Sequence, residues 1–245
     1  MITPAYLISD VHLTLRDGKE ERERRRRLAL LLDEIRATGG TLIIVGDFFD
    51  FWFEYKHVIP RRYFDVLAQL AALRQAGVEI HFVLGNHDYW TRNFLSDILD
   101  IKIYRNGADM VVDGLHVRFT HGDGLLPSDR GYRWLRRMLR SAIVVTAFRW
   151  LHPDIGIYLA QKASRLSRKY NPPKERTDEI ISELSGFLKT CWDQGLDAVI
   201  MGHYHLSKLI QFDNGKIYFC LGDGINHFTY GKIADRQITL EHWPD

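Results

Sequence analysis

The sequence predicts a mixed α/β sandwich, and three observations carry that expectation. Short runs rich in Ile, Val and Leu recur along the chain, each closed by polar residues, as buried strands are. Helical patterns ended by glycine separate the early runs. Two hairpin dipeptides, Asp113-Gly114 and Asn214-Gly215, lie between alternating runs later in the chain. Strand–helix–strand units early and hairpins late make layers of both kinds.

In chain order, Ala5 to Ser9 reads as the first strand and leads into Asp10. A helical pattern from Arg24 to Ala37 stops at Gly39-Gly40, and Thr41 to Val45 is a strand running into Gly46-Asp47. Arg62 to Gln75 is a second helix, stopped by Gly77. Val78 to Leu84 is a strand ending at Gly85-Asn86-His87-Asp88, and Leu115 to Thr120 is one ending at His121-Gly122-Asp123. Leu125 to Arg176 reads as two or three helices, with apolar or aromatic positions at Tyr132, Leu135, Leu139, Val144, Phe148 and Leu151, punctuated by Pro153 and Pro172-Pro173. A helix from Thr177 to Asp193 returns the chain to the sandwich, and the strand Ala198 to Met201 closes at Gly202-His203-Tyr204-His205. There is no internal repeat and no low-complexity segment.

With 245 residues, 46% hydrophobic and 26% charged, the composition excludes long disorder, collagen-like repeats and a disulfide scaffold. The net charge of +2 conceals an asymmetry: Leu125 to Arg176 carries +9 and the remainder −7. Such a split suggests that the basic segment meets a different partner from the rest. The run Arg22 to Arg27, interleaved with acids, reads as a solvated helix face. Met1 to Ser9 has no basic start, long apolar run or cleavage site, and stretches such as Ala142 to Val145 fall far short of a membrane span. A cytoplasmic protein with Cys191 and Cys220 packed and not bonded is the expectation.

The polar residues that close the strands carry the chemistry. The carboxyl ends of strands line the ligand crevice in α/β sheets, so Asp10, His12, Asp47, Asp50, Asn86, His87, Asp88, His121, His203 and His205 should converge. Oxygens from Asp10, Asp47 and Asn86 mixed with imidazoles from His12, His121, His203 and His205 suit Mn, Fe, Zn or Ni better than Ca or Mg. That is too many ligands for one tetrahedral ion; two ions sharing a carboxylate would use them all and could clamp a phosphoryl group. Singly, each piece also reads as a cap, a turn residue or a satisfied core histidine. Their occurrence in order, each after a strand, favours the chemical reading.

Asp10-Val11-His12, Gly46-Asp47-Phe48-Phe49-Asp50, Gly85-Asn86-His87-Asp88, His121-Gly122-Asp123 and Gly202-His203-Tyr204-His205 resemble the ordered signature of calcineurin-like metallophosphoesterases. The resemblance implies a four-layer αββα metallophosphoesterase sandwich, a single domain over residues 1–245 with a helical lid inserted at about 125–176. It implies two divalent ions, manganese first and iron, zinc or nickel also admitted. One would take Asp10, His12, Asp47 and His205, and the other Asp47, Asn86, His121 and His203. It further implies catalytic roles for Asn86 and His87, with Asp88 holding the His87 imidazole from behind and Asp50 orienting the Asp47 turn.

Asp129-Arg130-Gly131-Tyr132, with the position and length of the insertion, resembles the UDP-2,3-diacylglucosamine diphosphatase branch of the lipid A pathway. His87 in place of that branch's usual Arg, together with Leu221-Gly222-Asp223, resembles a sister subgroup that keeps His. By that likeness Asp129 and Tyr132 contact substrate, as do Ser167 and Lys174, and Arg165 is a candidate phosphate contact. The implied partners are a lipid-linked UDP-sugar and the anionic inner-membrane surface, with the protein peripheral on its cytoplasmic side. In this reading Leu135, Leu139, Val144, Phe148 and Leu151 line an acyl pocket or dip into the interface, while Arg136, Arg137, Arg140 and Arg149 meet headgroups. Nucleic acid is not a partner here; a phosphodiesterase of nucleotides or nucleic acid and a non-catalytic metal-stabilised scaffold stand as the alternatives.

Overall fold

The computed structural model describes residues 1–168 and 177–245. Its elements are β1 (Ala5–Ile8), α1 (Lys19–Thr38), β2 (Thr41–Val45), α2 (Phe64–Gln75), β3 (Glu79–Val83), α3 (Phe94–Asp97), β4 (Lys102–Tyr104), β5 (Ala108–Val112), β6 (Leu115–Thr120), α4 (Arg130–Leu139), α5 (Ala142–Arg149), α6 (Pro153–Arg168), α7 (Thr177–Asp193), β7 (Ala198–Met201), β8 (Ser207–Gln211), β9 (Ile217–Leu221), β10 (Thr229–Ala234) and β11 (Gln237–His242). They form two sheets, ordered β11-β10-β1-β2-β3-β4 and β5-β6-β7-β9-β8. β1, β2 and β3 are mutually parallel, and so are β6, β7 and β9.

The period-2 alternation of each strand builds the layers. Ala5 and Leu7, Ile43 and Val45, Phe119, Ile200, Phe219 and Leu221 point into one core between the two sheets. Their neighbours Tyr6 and Ile8, Leu42 and Ile44, Ile80 and Phe82 face α1 and α2 through Leu28, Leu31, Ile35 and Leu70. On the far side Val199, Met201, Tyr218 and Cys220 pack against Ile180, Leu184, Leu188 and Cys191 of α7. The result is the expected four-layer αββα sandwich. Cys191 and Cys220 are both free and buried.

Three differences from the sequence reading have physical causes. α1 begins at Lys19 and not at Arg24, because its buried stripe opens with a charged pair, Glu21 and Arg24, that hydropathy does not register. Arg24 is therefore not part of a solvated face: its guanidinium is buried and donates to the carbonyls of Gly224 and His12, both at 3.0 Å. The β10–β11 hairpin turns at Asp235 and Arg236, both with positive φ and without the glycine that marks such a turn.

The insertion supplies three helices, α4 to α6, with Pro153 opening α6. It is anchored next to the strand ends. Arg136 and Arg140 reach the buried Asp123 carboxylate at 2.5 and 2.6 Å, Arg140 stacks on Tyr89, and Trp90 donates to the carbonyl of Leu139. Phe148 completes an aromatic cluster with Phe51, Phe53 and Trp90. The expectation that Arg136 and Arg140 meet headgroups is corrected accordingly, since Asp123 already takes both. Leu135 and Leu139 are exposed and line no pocket.

Phe119→Ala is expected to open a cavity between the sheets and lower stability by about 3–5 kcal/mol, measured as a shift of the urea midpoint at constant slope.

Candidate metal centre

The loops after β1, β2, β3, β6 and β7 meet at one end of the sandwich because these parallel strands finish together. Asp10, His12, Asp47, His203 and His205 account for half of the ten non-glycine residues with positive φ, a strained backbone that turns each side chain inward. Glycines permit the crowding. A Cβ on Gly85 would collide with Asp47 Oδ1, and one on Gly202 with Asp10 Oδ2 and the Ser9 hydroxyl.

Asp47 is the hub. Its Oδ1 accepts the His87 backbone N–H at 2.8 Å, while Oδ2 lies 3.2 Å from His121 Nε2, 3.8 Å from His12 Nε2 and 3.9 Å from His87 Nε2. Asp10 Oδ2 accepts the His203 N–H at 2.9 Å and lies 2.6 Å from the Ser9 hydroxyl oxygen. Asp10 Oδ1 faces His205 Nε2 at 3.6 Å and His12 Nε2 at 3.7 Å. Asn86 Oδ1 is 3.3 Å from His121 Nε2. The ligand atoms group as Asp10, His12 and His205; as His12, Asp47 and His87; and as Asp47, His121 and His203, within 4.8 Å in each group.

Second partners set which ring nitrogen faces inward. His121 Nδ1 lies 3.0 Å from the Val45 carbonyl, His205 Nδ1 is 3.2 Å from Asp223, and His87 Nδ1 is 2.7 Å from the Asp50 carbonyl. These contacts leave Nε2 of each ring toward the centre. The role expected of Asp88 is corrected by this geometry. Its carboxylate accepts the N–H groups of Gly85 and Phe48, at 2.6 and 2.9 Å, so it ties the Asn86 loop to the Asp47 loop, and the main chain of Asp50 is what holds His87.

The charges are mutually dependent. Burial opposes ionisation of Asp47, yet His121, His87 and His12 hold it well below the usual carboxylate range. Burial also opposes protonation of His12, but the carboxylates of Asp10, Asp50 and Asp47 lift it to about 10. His121 rises for the same reason, chiefly through Asp47. Burial and the neighbouring His121 depress His203 to about 4, and burial lowers His87. Burial and the Asp47 charge push Asp88 up to about 7. Asp10 Oδ1 and both His12 ring nitrogens are buried without a hydrogen-bond partner. Buried polar atoms are costly when unpaired, and carboxylate with imidazole is the donor set of a divalent transition metal, so these residues fit divalent metal ions.

Of the other expected contacts, Tyr132 on α4 comes to the centre: its ring is 5.7 Å from that of His203, and its buried hydroxyl has no hydrogen-bond partner. Asp129 is exposed at the start of α4. Arg165 and Ser167 fall in the last part of α6, where only the backbone is described, and Lys174 lies outside the described residues. Sequence reasoning missed Arg24, Ser9 and the function of Asp223. Asp223 repeats the strand–Gly–Asp pattern of Gly46-Asp47 and was legible on that ground, whereas nothing distinguishes Arg24 within its basic run.

Fold and site together define a metal-dependent hydrolase of the phosphoesterase class. The chain belongs to the calcineurin-like phosphoesterase family, whose profile matches residues 3–207. Among curated relatives, it is 30% identical to the UDP-2,3-diacylglucosamine hydrolase of Porphyromonas gingivalis, with 100% of this chain and 99% of that one covered. It is also 30% identical to the enzyme of the same name from Pseudomonas fluorescens, over 89% of this chain and 86% of that one. A solved archaeal phosphodiesterase shares the fold at a TM-score of 0.52 and 14% identity, covering 98% of this chain and 99% of its own.

Gly85→Ala is expected to displace Asp47 and weaken manganese binding by about tenfold or more, read by competition with a fluorescent chelator. Gly186→Ala, where a Cβ meets nothing within 4 Å, is the control and should leave binding unchanged.

Proposed function

We propose that this chain hydrolyses the pyrophosphate of UDP-2,3-diacylglucosamine, giving UMP and 2,3-diacylglucosamine 1-phosphate. Two relatives of that printed activity align along most or all of the chain. The observation that carries the reading is the lid's placement: α4 is fastened to Asp123 and Trp90, beside the His121 and His87 loops, and sets the Tyr132 ring against His203. Residues 1–245 then read as one phosphoesterase domain, with a lid at about 125–176.

In this reading Asp10, His12, Asp47 and His205 hold one divalent ion and Asp47, Asn86, His121 and His203 the other, with manganese the first choice. When bound, the ions supply Lewis-acid stabilisation of phosphoryl oxygens and lower the pKa of the attacking water. The chain's own residues do the rest. Asn86 and His87 face the phosphoryl group from the loop after β3. Burial keeps the His87 ring neutral in the free protein, with its Nδ1 proton on the Asp50 carbonyl. An arriving pyrophosphate brings negative charge that favours the protonated ring, which then donates from Nε2 to the leaving oxygen. The Tyr132 hydroxyl, without an internal partner, is placed to bond the bound substrate.

The lid also supports a peripheral membrane position. No helix among the described residues is long and apolar enough to cross a membrane. Trp134, Ile143, Trp150, Ile155 and Tyr158 are instead exposed on the lid, Trp150 by 87%, near the exposed arginines 130, 133 and 137. An apolar tip within a basic surface suits the anionic interface where a diacylated substrate resides.

Manganese-loaded protein is expected to release UMP from UDP-2,3-diacylglucosamine and to leave UDP-N-acetylglucosamine and a single-stranded oligonucleotide intact. Equal turnover of both UDP-sugars would remove the lipid assignment. Asp47→Ala should lower turnover about a thousandfold or more, and unchanged hydrolysis would refute the two-ion mechanism. Replacing Trp134 and Trp150 together by alanine should reduce cosedimentation with anionic vesicles while leaving manganese affinity intact.

A further inference from the structure

Asp223 follows β9 and is fully buried, yet it is a carboxylate with many donors. Its Oδ1 accepts the backbone N–H groups of Ile225, Asn226 and His227 at 2.9, 2.6 and 3.1 Å. Its Oδ2 meets two imidazoles at once, His205 Nδ1 at 3.2 Å and His227 Nδ1 at 2.9 Å. Burial opposes its charge, but this set of donors holds it below the usual carboxylate range. The turn is tied to the centre elsewhere too: the Gly224 N–H donates to the Asp10 carbonyl, and the Gly224 carbonyl accepts from the buried Arg24, which also grips the His12 carbonyl.

Two consequences follow. A ring whose Nδ1 donates to a carboxylate keeps Nε2 as its free lone pair, so Asp223 sets His205 in the tautomer and orientation that aim Nε2 at Asp10. His227 is held in the same way by the same oxygen. Both side chains are partly open, 18% for His205 and 24% for His227, while Asp223 has no exposure, so each ring extends outward from a common buried anchor. His205 stacks on His12 at 5.2 Å, and His12 meets His87 edge-on at 4.8 Å. His227 thus prolongs a row of imidazoles that has His87 at its other end.

We propose that Asp223 is the positioning residue for His205, and that His227, fixed by the same carboxylate, contacts a phosphoryl oxygen of the substrate on the His205 side of the centre. The inference rests on the two-ion reading of this centre and not on the identity of the substrate.

The test compares wild type with Asp223→Asn, His227→Ala and His227→Gln. Manganese affinity is read by chelator competition, and kcat/KM is measured on bis(4-nitrophenyl) phosphate, which has neither uridine nor acyl chains. Asp223→Asn should lose about 10- to 100-fold in affinity. His227→Ala should bind manganese like wild type but lose about tenfold or more in kcat/KM, with part recovered in His227→Gln. Unchanged affinity in Asp223→Asn, unchanged kcat/KM in His227→Ala, or an equal loss of affinity in both variants overturns the proposal. Should Asp223→Asn fail to fold, two-bond proton–nitrogen correlation on histidine-labelled wild type decides: protonation at Nδ1 of both His205 and His227 is expected, and a His205 ring protonated only at Nε2 overturns it. These effects on the diester together with no turnover of UDP-2,3-diacylglucosamine would sink the proposed substrate and leave this inference standing.

Discussion

The structure depends on keeping the Asp47 carboxylate charged in a place with almost no water. A buried, unpaired carboxylate costs several kcal/mol, so it must be answered by opposite charge or by donors. Here the answer comes from four loops at once: the His87 backbone N–H on one oxygen, and His121, His12 and His87 around the other. In the metal-free chain protonated imidazoles carry that positive charge, which is why His12 is lifted to about 10. In the two-ion reading divalent cations take over the same duty, and the rings become neutral ligands. The same buried negative charge serves folding in one state and catalysis in the other.

Meeting that demand shapes the surrounding fold. Parallel strands deliver their ends to one edge, while left-handed backbone at Asp10, His12, Asp47, His203 and His205 bends the side chains inward. That strain is over-determined by neighbours: Asp88 links the loops after β2 and β3, and Arg24 links the loop after β1 to that after β9. The lid is fastened to these loops through Asp123 and Trp90, so its position reports on the centre beneath it. Charge follows the same division. The basic insertion stands over an acidic remainder, and part of its excess is spent internally on Asp123.

Much of this was legible in the sequence, and the failures are instructive. The strands that end in Asp, Asn or His were readable because apolar runs with polar stops reflect burial directly, and the layer order follows from their alternation. β2, β6, β7 and α7 lie where the pattern puts them. Arg24 was misread because its burial comes from a long-range contact with Gly224, which local pattern does not encode. Asp88 was assigned to its sequence neighbour His87, but in the fold its donors come from across the loop pair. The lid arginines were read as free because their partner, Asp123, lies thirteen or more residues away. Local composition reveals which groups are present; tertiary contact decides which of them are already satisfied.

The central claim is that Asp47 stands between two ions. The most direct measurement is anomalous scattering from crystals grown with manganese. Two peaks on either side of the Asp47 carboxylate are expected, one among Asp10, His12 and His205 and the other among Asn86, His121 and His203. A single peak, or peaks away from Asp47 in an otherwise ordered structure, would contradict the account.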